Sequence, residues 1–309
     1  MPAAALRCEN LVKTFAGTTA VGGLNLNVPA GAIFGLLGPN GSGKTSTIRT
    51  SLGLYVPDGG HVELLGSRDP LAVRHRVGYL PEERGLYAKM KVAEQLTFLA
   101  AIRGLDQAEA ARRAHAWLDR VGLAANAKSD TGDLSKGMQQ KVQFAAAVIH
   151  EPDLIVLDEP FTGLDPINTR LLKDLILEQR ERGATVVLST HLMAQVEALC
   201  ESICLIHRGR PVLDGVVADI RAGYGRNTVA VEYEGDGAAP LTDLPGVRRG
   251  EDTGQEARLE LDPGTDAQAV IRAVVDRVAV RSVRLEHPSL EDIYLERVGA
   301  SSPTVEDAS

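Results

Sequence analysis

Residues 38–46 read GPNGSGKTS and contain the spacing G-x-x-x-x-G-K-[ST], which is typical of loops that bind the phosphates of a nucleotide. Glycines in such a loop let backbone N–H groups approach phosphate oxygens, and the positive end of the following helix assists them. Lys44 would place its charge between the β- and γ-phosphates, and Thr45 would offer its hydroxyl to Mg²⁺. The alternative is a glycine-rich turn with an incidental lysine. The residues predicted to bind the nucleotide here are Gly38, Pro39, Asn40, Gly41, Ser42, Gly43, Lys44, Thr45 and Ser46.

Two adjacent carboxylates, Asp158 and Glu159, follow the apolar run LIVL at residues 154–157. Such a run is typical of a strand buried on both faces of a parallel sheet, and ligands of open α/β sheets gather at the carboxyl ends of the strands. Asp158 is predicted to hold Mg²⁺ through water, and Glu159 to polarise the attacking water as a general base. Two solvated loop acids are the alternative, but a buried strand rarely ends in adjacent carboxylates without a cation.

A single histidine, His191, closes a second apolar run, VVLSTH, at residues 186–191. A lone histidine more often has a structural role, but a strand end beside the expected γ-phosphate favours a functional one. A ring N–H could donate a hydrogen bond to that phosphate. The predicted catalytic residues are therefore Lys44, Glu159 and His191.

The elements that must position these residues alternate along the chain. Apolar runs such as 32–38 alternate with helical segments such as 44–54 and 169–183, which predicts a parallel sheet covered by helices. Apolar residues at helical spacing predict helices over 91–121, within a helical subdomain at about 86–135.

The hydrophobicity pattern of the sequence changes after about residue 222. Runs such as TVAVEYE at 228–234 alternate in hydrophobicity, and TDAQAVIRAVVDR at 265–277 has the spacing of an amphipathic helix. Ser289 is a predicted N-cap of a final helix. We expect a nucleotide-binding domain at 1–222, a small α+β domain at 226–299 and a mobile tail at 300–309.

The overall composition excludes several classes of protein. The chain has 309 residues and a net charge of −8, which argues against a non-specific nucleic-acid binder. Three cysteines fit a reducing compartment better than a disulfide framework. Neither a signal peptide nor a transmembrane helix is expected, because no charged and then apolar leader and no continuous run of about 20 apolar residues is present. A role at a membrane would need another chain.

The segment LSKGM at 134–138, taken with the loop and the paired carboxylates, resembles the signature L-S-G-G-Q of the ATP-binding subunits of ABC transporters. The resemblance covers about residues 6–220. It implies a P-loop NTPase of the ABC type, an α/β cassette with a mixed sheet core and a helical subdomain. In that family two cassettes face each other head to tail. The resemblance therefore implies that Ser135 and the Gly137 backbone contact the γ-phosphate bound to a partner chain.

Further positions acquire roles through the same resemblance. Phe15 stands where the family places an aromatic that stacks on adenine, although a buried core phenylalanine is the alternative. Asp165, in GLDP, matches a loop near the dimer seam. The signature itself departs from the family pattern, with Lys136 in place of its first glycine and Met138 in place of its glutamine.

Glu82 stands where many members of the family have a glutamine that senses Mg²⁺ and faces the membrane partner. A carboxylate only accepts hydrogen bonds and would repel the γ-phosphate unless Mg²⁺ lay between them. Glu82 is therefore expected to contact the metal, directly or through water, together with Thr45 and Asp158. Glu83 and Arg84 are expected to shape the surface that couples to the membrane partner.

LPEERGLY, LSKGMQQK and the terminal HPSLEDIYLERV are similar to a branch of sodium- and drug-export subunits that carry a small extra C-terminal domain. The function implied is an ATP hydrolase at the cytoplasmic face of the cell membrane that energises export through a separate polytopic permease. It would use ATP and Mg²⁺, form a homodimer through the ATP sites, with a heterodimer as the alternative, and bind no nucleic acid. A soluble ABC ATPase acting on ribosomes or DNA is the alternative.

Overall fold

The structure, a computed structural model, describes residues 4–83, 85–224, 228–234 and 240–299. The chain divides into two compact units, one ending at Gly215 and one beginning at Val216. Arg84, the predicted start of the second domain at 226 and the predicted tail 300–309 lie outside the described residues.

The first unit combines strands and helices in alternation. Its strands are β1 (Ala4–Phe15), β2 (Thr18–Pro29), β3 (Ile33–Leu37), β4 (Gly59–Leu64), β5 (Val77–Leu80), β6 (Leu154–Asp158), β7 (Thr185–Thr190), β8 (Ser202–His207) and β9 (Arg210–Val216). Its helices are α1 (Lys44–Ser51), α2 (Val92–Ala101), α3 (Gln107–Arg120), α4 (Lys136–Val148), α5 (Pro166–Glu181) and α6 (Met193–Glu197). In the part of the chain described here, no helix is long and apolar enough to cross a membrane.

A six-stranded sheet with the order β5-β6-β7-β3-β8-β9 forms the centre of this unit. The pairs β5–β6, β6–β7, β3–β7 and β3–β8 are parallel, and every residue of β3, β6 and β7 is buried. Burial on both faces explains why these strands are continuously apolar in sequence. The predicted α/β cassette is confirmed, and the parallel strands bring the loop after β3 and the acids of β6 to one edge.

A three-stranded antiparallel sheet, β2-β1-β4, joins the same core. Leu11 and Leu24 of this sheet share one buried apolar cluster with Phe34 and Leu36 of β3 and with Ile48 of α1. Strand β1 was not predicted from the sequence, and exposed Arg7 and Asn10 interrupt its buried residues.

The helical region predicted at 91–121 is two helices. Gly104 adopts φ 101°, in the left-handed region that favours glycine and ends a helix. Asp106 then caps α3 by accepting hydrogen bonds from the backbone N–H groups of Ala108 and Glu109, both at 3.0 Å. The break is therefore encoded locally by a helix stop followed by an N-cap.

The second unit is an α+β fold with its own apolar cluster. Its strands are β10 (Thr228–Glu234), β11 (Val247–Asp252), β12 (Glu256–Leu261) and β13 (Ala279–Glu286), and its helices are α7 (Val217–Gly223), α8 (Ala267–Arg277) and α9 (Leu290–Gly299). The strands form an antiparallel sheet in the order β11-β12-β10-β13. Val229 and Val231 of β10 pack in the cluster with Val270 and Val274 of α8.

The division between the units falls earlier than the predicted boundary at 222. Helix α7 belongs to the second unit, because Arg221 donates from Nε to the Pro288 carbonyl at 3.1 Å and from a terminal nitrogen to the His287 carbonyl at 3.3 Å. At the other end of that unit, the Oγ of Ser289 accepts a hydrogen bond from the Asp292 N–H at 3.1 Å. The last helix therefore has the predicted serine cap.

Candidate nucleotide-binding site

A cavity of about 390 Å³ opens beside the loop between β3 and α1. Its lining consists of Ala20, Asn40, Gly41, Ser42, Gly43, Lys44, Thr45, Ser46, Glu82 and Glu159. The structure thus brings Glu82 and Glu159 together with most of the predicted phosphate loop. Of the predicted loop residues, Gly38 and Pro39 are the two outside this lining.

Two glycines of the loop are required by its close packing. Gly38 and Gly43 have φ values of 149° and 108°, which side chains rarely tolerate. A Cβ on Gly38 would lie 2.2 Å from the Ile206 carbonyl oxygen, and one on Gly43 would lie 2.3 Å from the Ala20 carbonyl oxygen. Gly43 is also the N-cap of α1 and makes no side-chain cap, so the first N–H groups of that helix remain available to an anion.

Lys44 is the buried cation of the cavity, with its side chain 6% exposed. Its Nζ donates to the Gly38 carbonyl at 2.8 Å and to the Pro39 carbonyl at 3.3 Å, and it lies 3.6 Å from Oε1 of Glu159. A buried ammonium held mainly by neutral carbonyls keeps part of its charge uncompensated. Lys44 therefore suits a polyanionic ligand.

Glu159 adopts φ 49°, in the left-handed region, and its side chain is 7% exposed. Its carboxylate accepts a hydrogen bond from the Thr190 hydroxyl at 3.1 Å, and its Oε1 lies 3.0 Å from Nδ1 of His191. The backbone N–H of Glu159 donates to the Ser189 carbonyl at 3.0 Å. The end of β7 and the residue after it thus hold the glutamate by three contacts, and His191 lies at the same edge of the sheet as Glu159.

Asp158 is fully buried and accepts a hydrogen bond from the Ser189 hydroxyl at its Oδ1. Burial raises the pKa of Asp158 above the ordinary aspartate value, and the hydroxyls of Ser189 and Thr45 oppose that rise. Its Oδ2 has no hydrogen-bond partner among the described residues, and neither has the buried Oγ of Ser42.

These two unpartnered oxygens provide a test of whether Mg²⁺ and ATP fit the site. A buried carboxylate oxygen without a donor is a suitable ligand for a hard cation, directly or through water. A buried hydroxyl without a partner can donate to a phosphate oxygen. Together with the Lys44 ammonium and the open end of α1, the residues present fit a magnesium-bound nucleoside triphosphate.

Glu82 follows β5 and its side chain is exposed at the cavity. The next residue, Glu83, lies 3.5 Å from a terminal nitrogen of Arg49 in α1. This ion pair connects the loop after β5 with the helix that carries the phosphate loop. Glu82 and Thr45 both line the cavity.

Six other predicted site residues are not in the lining of this cavity. Two of them, Asp158 and His191, lie next to it through the contacts described above, and the other four are Phe15, Ser135, Gly137 and Asp165. Phe15, 39% exposed, packs edge-on against Tyr55 with ring centroids 5.2 Å apart, so the alternative of a core phenylalanine is wrong. Ser135 and Asp165 are exposed N-caps of α4 and α5. The Asn168 backbone N–H lowers the pKa of Asp165. Gly137 lies in the first turn of α4.

Three residues that were not predicted from the sequence hold the site residues in place. Ser189 and Thr190 anchor the two carboxylates, and Gln140 donates to the carbonyl of Pro160. Two adjacent hydroxyls at the end of the otherwise apolar run VVLST were a signal of buried polar partners. No comparable pattern identified Gln140.

Comparison with known proteins agrees with this geometry. Residues 21–162 match the family model described as ABC transporter, and residues 215–298 match the model of the C-terminal domain of DrrA1-3-like ATP-binding proteins. An uncharacterized ABC transporter ATP-binding protein of Bacillus subtilis (strain 168) is 38% identical over 96% of this chain and 99% of its own length. The daunorubicin/doxorubicin resistance ATP-binding protein of Streptomyces peucetius is 31% identical over 100% and 97%. The Nod factor export ATP-binding protein I of Paraburkholderia xenovorans (strain LB400) is 33% identical over 97% and 98%.

A solved structure described as the ATP binding subunit of an ABC transporter is 34% identical, with a TM-score of 0.67 over 72% of this chain and 93% of that one. A second, cbiO1 from Clostridium perfringens, is 28% identical, with a TM-score of 0.63 over 71% and 91%. The comparisons lend no support to a protein that acts on ribosomes or DNA. The chain belongs to the family of ABC transporter ATP-binding subunits, which bind ATP and hydrolyse it to power transport.

Proposed function

We propose that two copies of this chain bind two ATP molecules between them, and that hydrolysis drives export through a separate membrane permease. Each ATP would lie on the phosphate loop of one copy and against Ser135 and Gly137 of the other. One observation carries the proposal. The Lys44–Glu159 pair is buried beside the phosphate loop, whereas Ser135 is exposed and does not line the cavity of its own chain.

Within one site, Lys44 would neutralise charge on the β- and γ-phosphates, and the first N–H groups of α1 would bind the same oxygens. Glu159 would accept the proton of the attacking water, a contribution of roughly 10²–10⁴ in rate. His191, 3.0 Å from Glu159, would orient that carboxylate through one ring nitrogen. A ring N–H would remain for the γ-phosphate.

Thr45, Asp158 and Glu82 are the residues that would hold Mg²⁺. When bound, the ion would withdraw charge from the phosphate oxygens. The raised pKa of Asp158 has burial as its main cause, and a cation beside the carboxylate would favour its ionised form. Charge neutralisation by Lys44 and proton acceptance by Glu159 then require these two side chains to stay in place beside the phosphates.

The dimer is supported by Gly137, a glycine that the packing of its own chain does not require. A Cβ on Gly137 would meet only ordinary contacts, with Cδ2 of Leu164 at 3.5 Å and the Gly163 carbonyl at 3.9 Å, and its φ is not positive. A glycine in the first turn of a helix lowers helix stability relative to alanine. Its presence is explained if another molecule approaches the backbone there. Phe15 and Asp165 would complete the seam, Phe15 by stacking on adenine.

The permease is supported by a second, mainly apolar cavity of about 450 Å³ in the first unit. Leu54, Leu71 and Ile102 line it and are each more than half exposed. A groove of this kind suits an amphipathic helix of another chain. A chain that docks there on a membrane protein would lie at the cytoplasmic face as a peripheral subunit, and its relatives named for drug resistance and Nod factor export favour export.

The test uses the full-length chain with Glu159→Gln, which keeps ATP in the closed dimer by removing the base. With Mg²⁺ and ATP we expect hydrolysis to fall by roughly 10²–10⁴ and the mass in solution to double. The matched control adds Gly137→Ala, which the chain itself accommodates but which should prevent the dimer. Purification of Glu159→Gln from membranes should retain a polytopic companion. A strictly monomeric Glu159→Gln protein, both free and with its membrane companion, would contradict the proposal.

A further inference from the structure

Helix α4 carries two buried glutamines, Gln140 and Gln143, which the reaction described above does not use. Their side chains are 6% and 5% exposed. Residues three apart lie on the same face of a helix. Both amides donate to backbone carbonyls in loops that follow β5 and β6, which are adjacent parallel strands. One helix face therefore contacts two loops at the catalytic edge.

Gln140 holds the peptide next to the proposed general base. Its Nε2 donates to the Pro160 carbonyl at 3.0 Å, and Pro160 has no N–H through which its backbone could be held instead. Glu159 adopts a left-handed φ of 49°, a conformation that persists only when the surroundings hold it. The Gln140 amide is one such contact and acts on the residue that follows Glu159, whereas Ser189 and Thr190 contact Glu159 itself.

Gln143 holds the loop that carries Glu82. Its Nε2 donates to the Glu83 carbonyl at 3.3 Å, and Glu83 directly follows the carboxylate that lines the cavity. The pairing with Arg49 at 3.5 Å is a contact of the exposed Glu83 side chain, and such pairs contribute little. The buried amide is therefore the stronger restraint on this loop.

The other end of α4 is the segment proposed to contact the partner's nucleotide. Ser135 is the N-cap of α4, and its Oγ accepts a hydrogen bond from the Met138 N–H at 3.3 Å. An α-helix rises about 1.5 Å per residue and moves as a hydrogen-bonded rod. A displacement of the first turn therefore displaces Gln140 and Gln143, which follow Ser135 by five and eight residues, about one and a half and two turns of the helix.

We propose that Gln140 and Gln143 are positioning residues for Glu159 and Glu82 of their own chain. Through α4, the positions of these two carboxylates depend on the contact between the signature of the same chain and the nucleotide bound to its partner. The proposal rests on the proposed function, since it needs the head-to-tail dimer. It adds that the two ATP sites are interdependent through α4 within each chain. Both glutamines act through other residues and touch no substrate.

The experiment replaces each glutamine by methionine, which is similar in size and cannot donate, in the full-length chain. For Gln140→Met we expect kcat to fall about tenfold, as for a small misplacement of a catalytic group, with the KM for ATP unchanged. For Gln143→Met we expect about a tenfold higher Mg²⁺ concentration for half-maximal hydrolysis. The matched control is Gln139→Met in the same helix, whose amide donates to the Thr131 carbonyl at 3.2 Å, away from both loops.

A second measurement separates positioning from folding and from the dimer itself. In the Glu159→Gln background, Gln140→Met should still dimerise with Mg²⁺ and ATP, because Ser135 and Gly137 are intact, and its melting temperature should match that of Gln139→Met. Equal losses of kcat in Gln139→Met and Gln140→Met, or no loss in Gln140→Met, would overturn the inference. Absence of the dimer already in Glu159→Gln alone would overturn the proposed function and this inference with it.

Discussion

Asp158 and Glu159 are adjacent in sequence, but their environments separate their roles. Asp158 is fully buried and keeps one oxygen without a hydrogen-bond partner among the described residues. Glu159 faces the cavity, beside Lys44 and His191. The backbone changes from an extended conformation at Asp158, the last residue of β6, to a left-handed one at Glu159. This change points the two carboxylates in different directions. A buried acid suits a cation, and an acid at the cavity suits a water molecule.

We predict that Asp158→Asn lowers ATP hydrolysis by about 10²-fold while stabilising the protein without Mg²⁺ at neutral pH. Burial raises the pKa of Asp158 in the folded protein, so at a pH between the ordinary and the raised pKa the folded state holds a proton that the unfolded state has lost. The wild-type protein therefore loses stability as pH rises from the ordinary aspartate pKa through the raised one, and the loss persists above it. Asparagine does not ionise and avoids this loss.

Urea unfolding from acid to neutral pH, without nucleotide or metal, measures the effect. The stability advantage of Asp158→Asn over the wild type should grow as pH rises through that window. Added Mg²⁺ and ATP should stabilise the wild type more than the variant. A pH-independent difference between the two proteins would contradict the raised pKa.

At the scale of elements, α3 and α4 form the junction between the helical region and the signature helix. Trp117 of α3 and Phe144 of α4 are buried and meet edge to face, with ring centroids 6.1 Å apart. The guanidinium of Arg120 lies 4.2 Å from the Trp117 ring centroid. Because α4 carries Ser135 at its start, this packing fixes the angle at which the signature is presented.

We predict that Phe144→Ala lowers the free energy of unfolding by about 3–5 kcal/mol, the usual effect of emptying a buried aromatic position. Trp117 is the single tryptophan of the chain, so its emission reports on this contact without a label. The emission should shift to the red in the folded variant as water reaches the ring. Phe98→Ala is the control, because Phe98 is exposed and should change neither quantity appreciably.

The elements that could be predicted from the sequence are those whose function requires particular residue types within a short stretch of chain. The patterns of the loop 38–46, of Asp158 and Glu159, and of the apolar runs of β3, β6 and β7 depend on short-range chemistry. Most of the loop and Glu159 line one cavity, and Asp158 ends β6 next to Glu159. Strand β1, the central strand of its three-stranded sheet, and the amides of Gln140 and Gln143 were not predicted. Their partners are distant in sequence: β4 begins 55 residues after the start of β1, and Gln143 bonds a carbonyl at a separation of 60 residues.

At the scale of the whole molecule, the two units have separate cores. The cluster around Phe34 and Ile48 contains residues of the first unit, and the cluster around Val229 and Val274 contains residues of the second. Each core can therefore exclude water from its own sheet. The phosphate loop, both carboxylates and α4 all lie before Gly215, so the nucleotide site depends on one core.

We predict that a chain ending at Gly215 folds and binds Mg²⁺ and ATP with the affinity of the full-length protein. The matched control ends at Ala222, close to the boundary predicted from sequence, and retains most of α7 without the Pro288 and His287 carbonyls that bond Arg221. A helix of this length is unstable in water without tertiary contacts, so residues 217–222 should exchange their amide hydrogens rapidly in that chain and slowly in the full-length protein. Calorimetric binding and hydrogen exchange measure the two effects. Failure of the Gly215 chain to fold, while the Ala222 chain folds with α7 protected, would place the boundary where the sequence analysis put it.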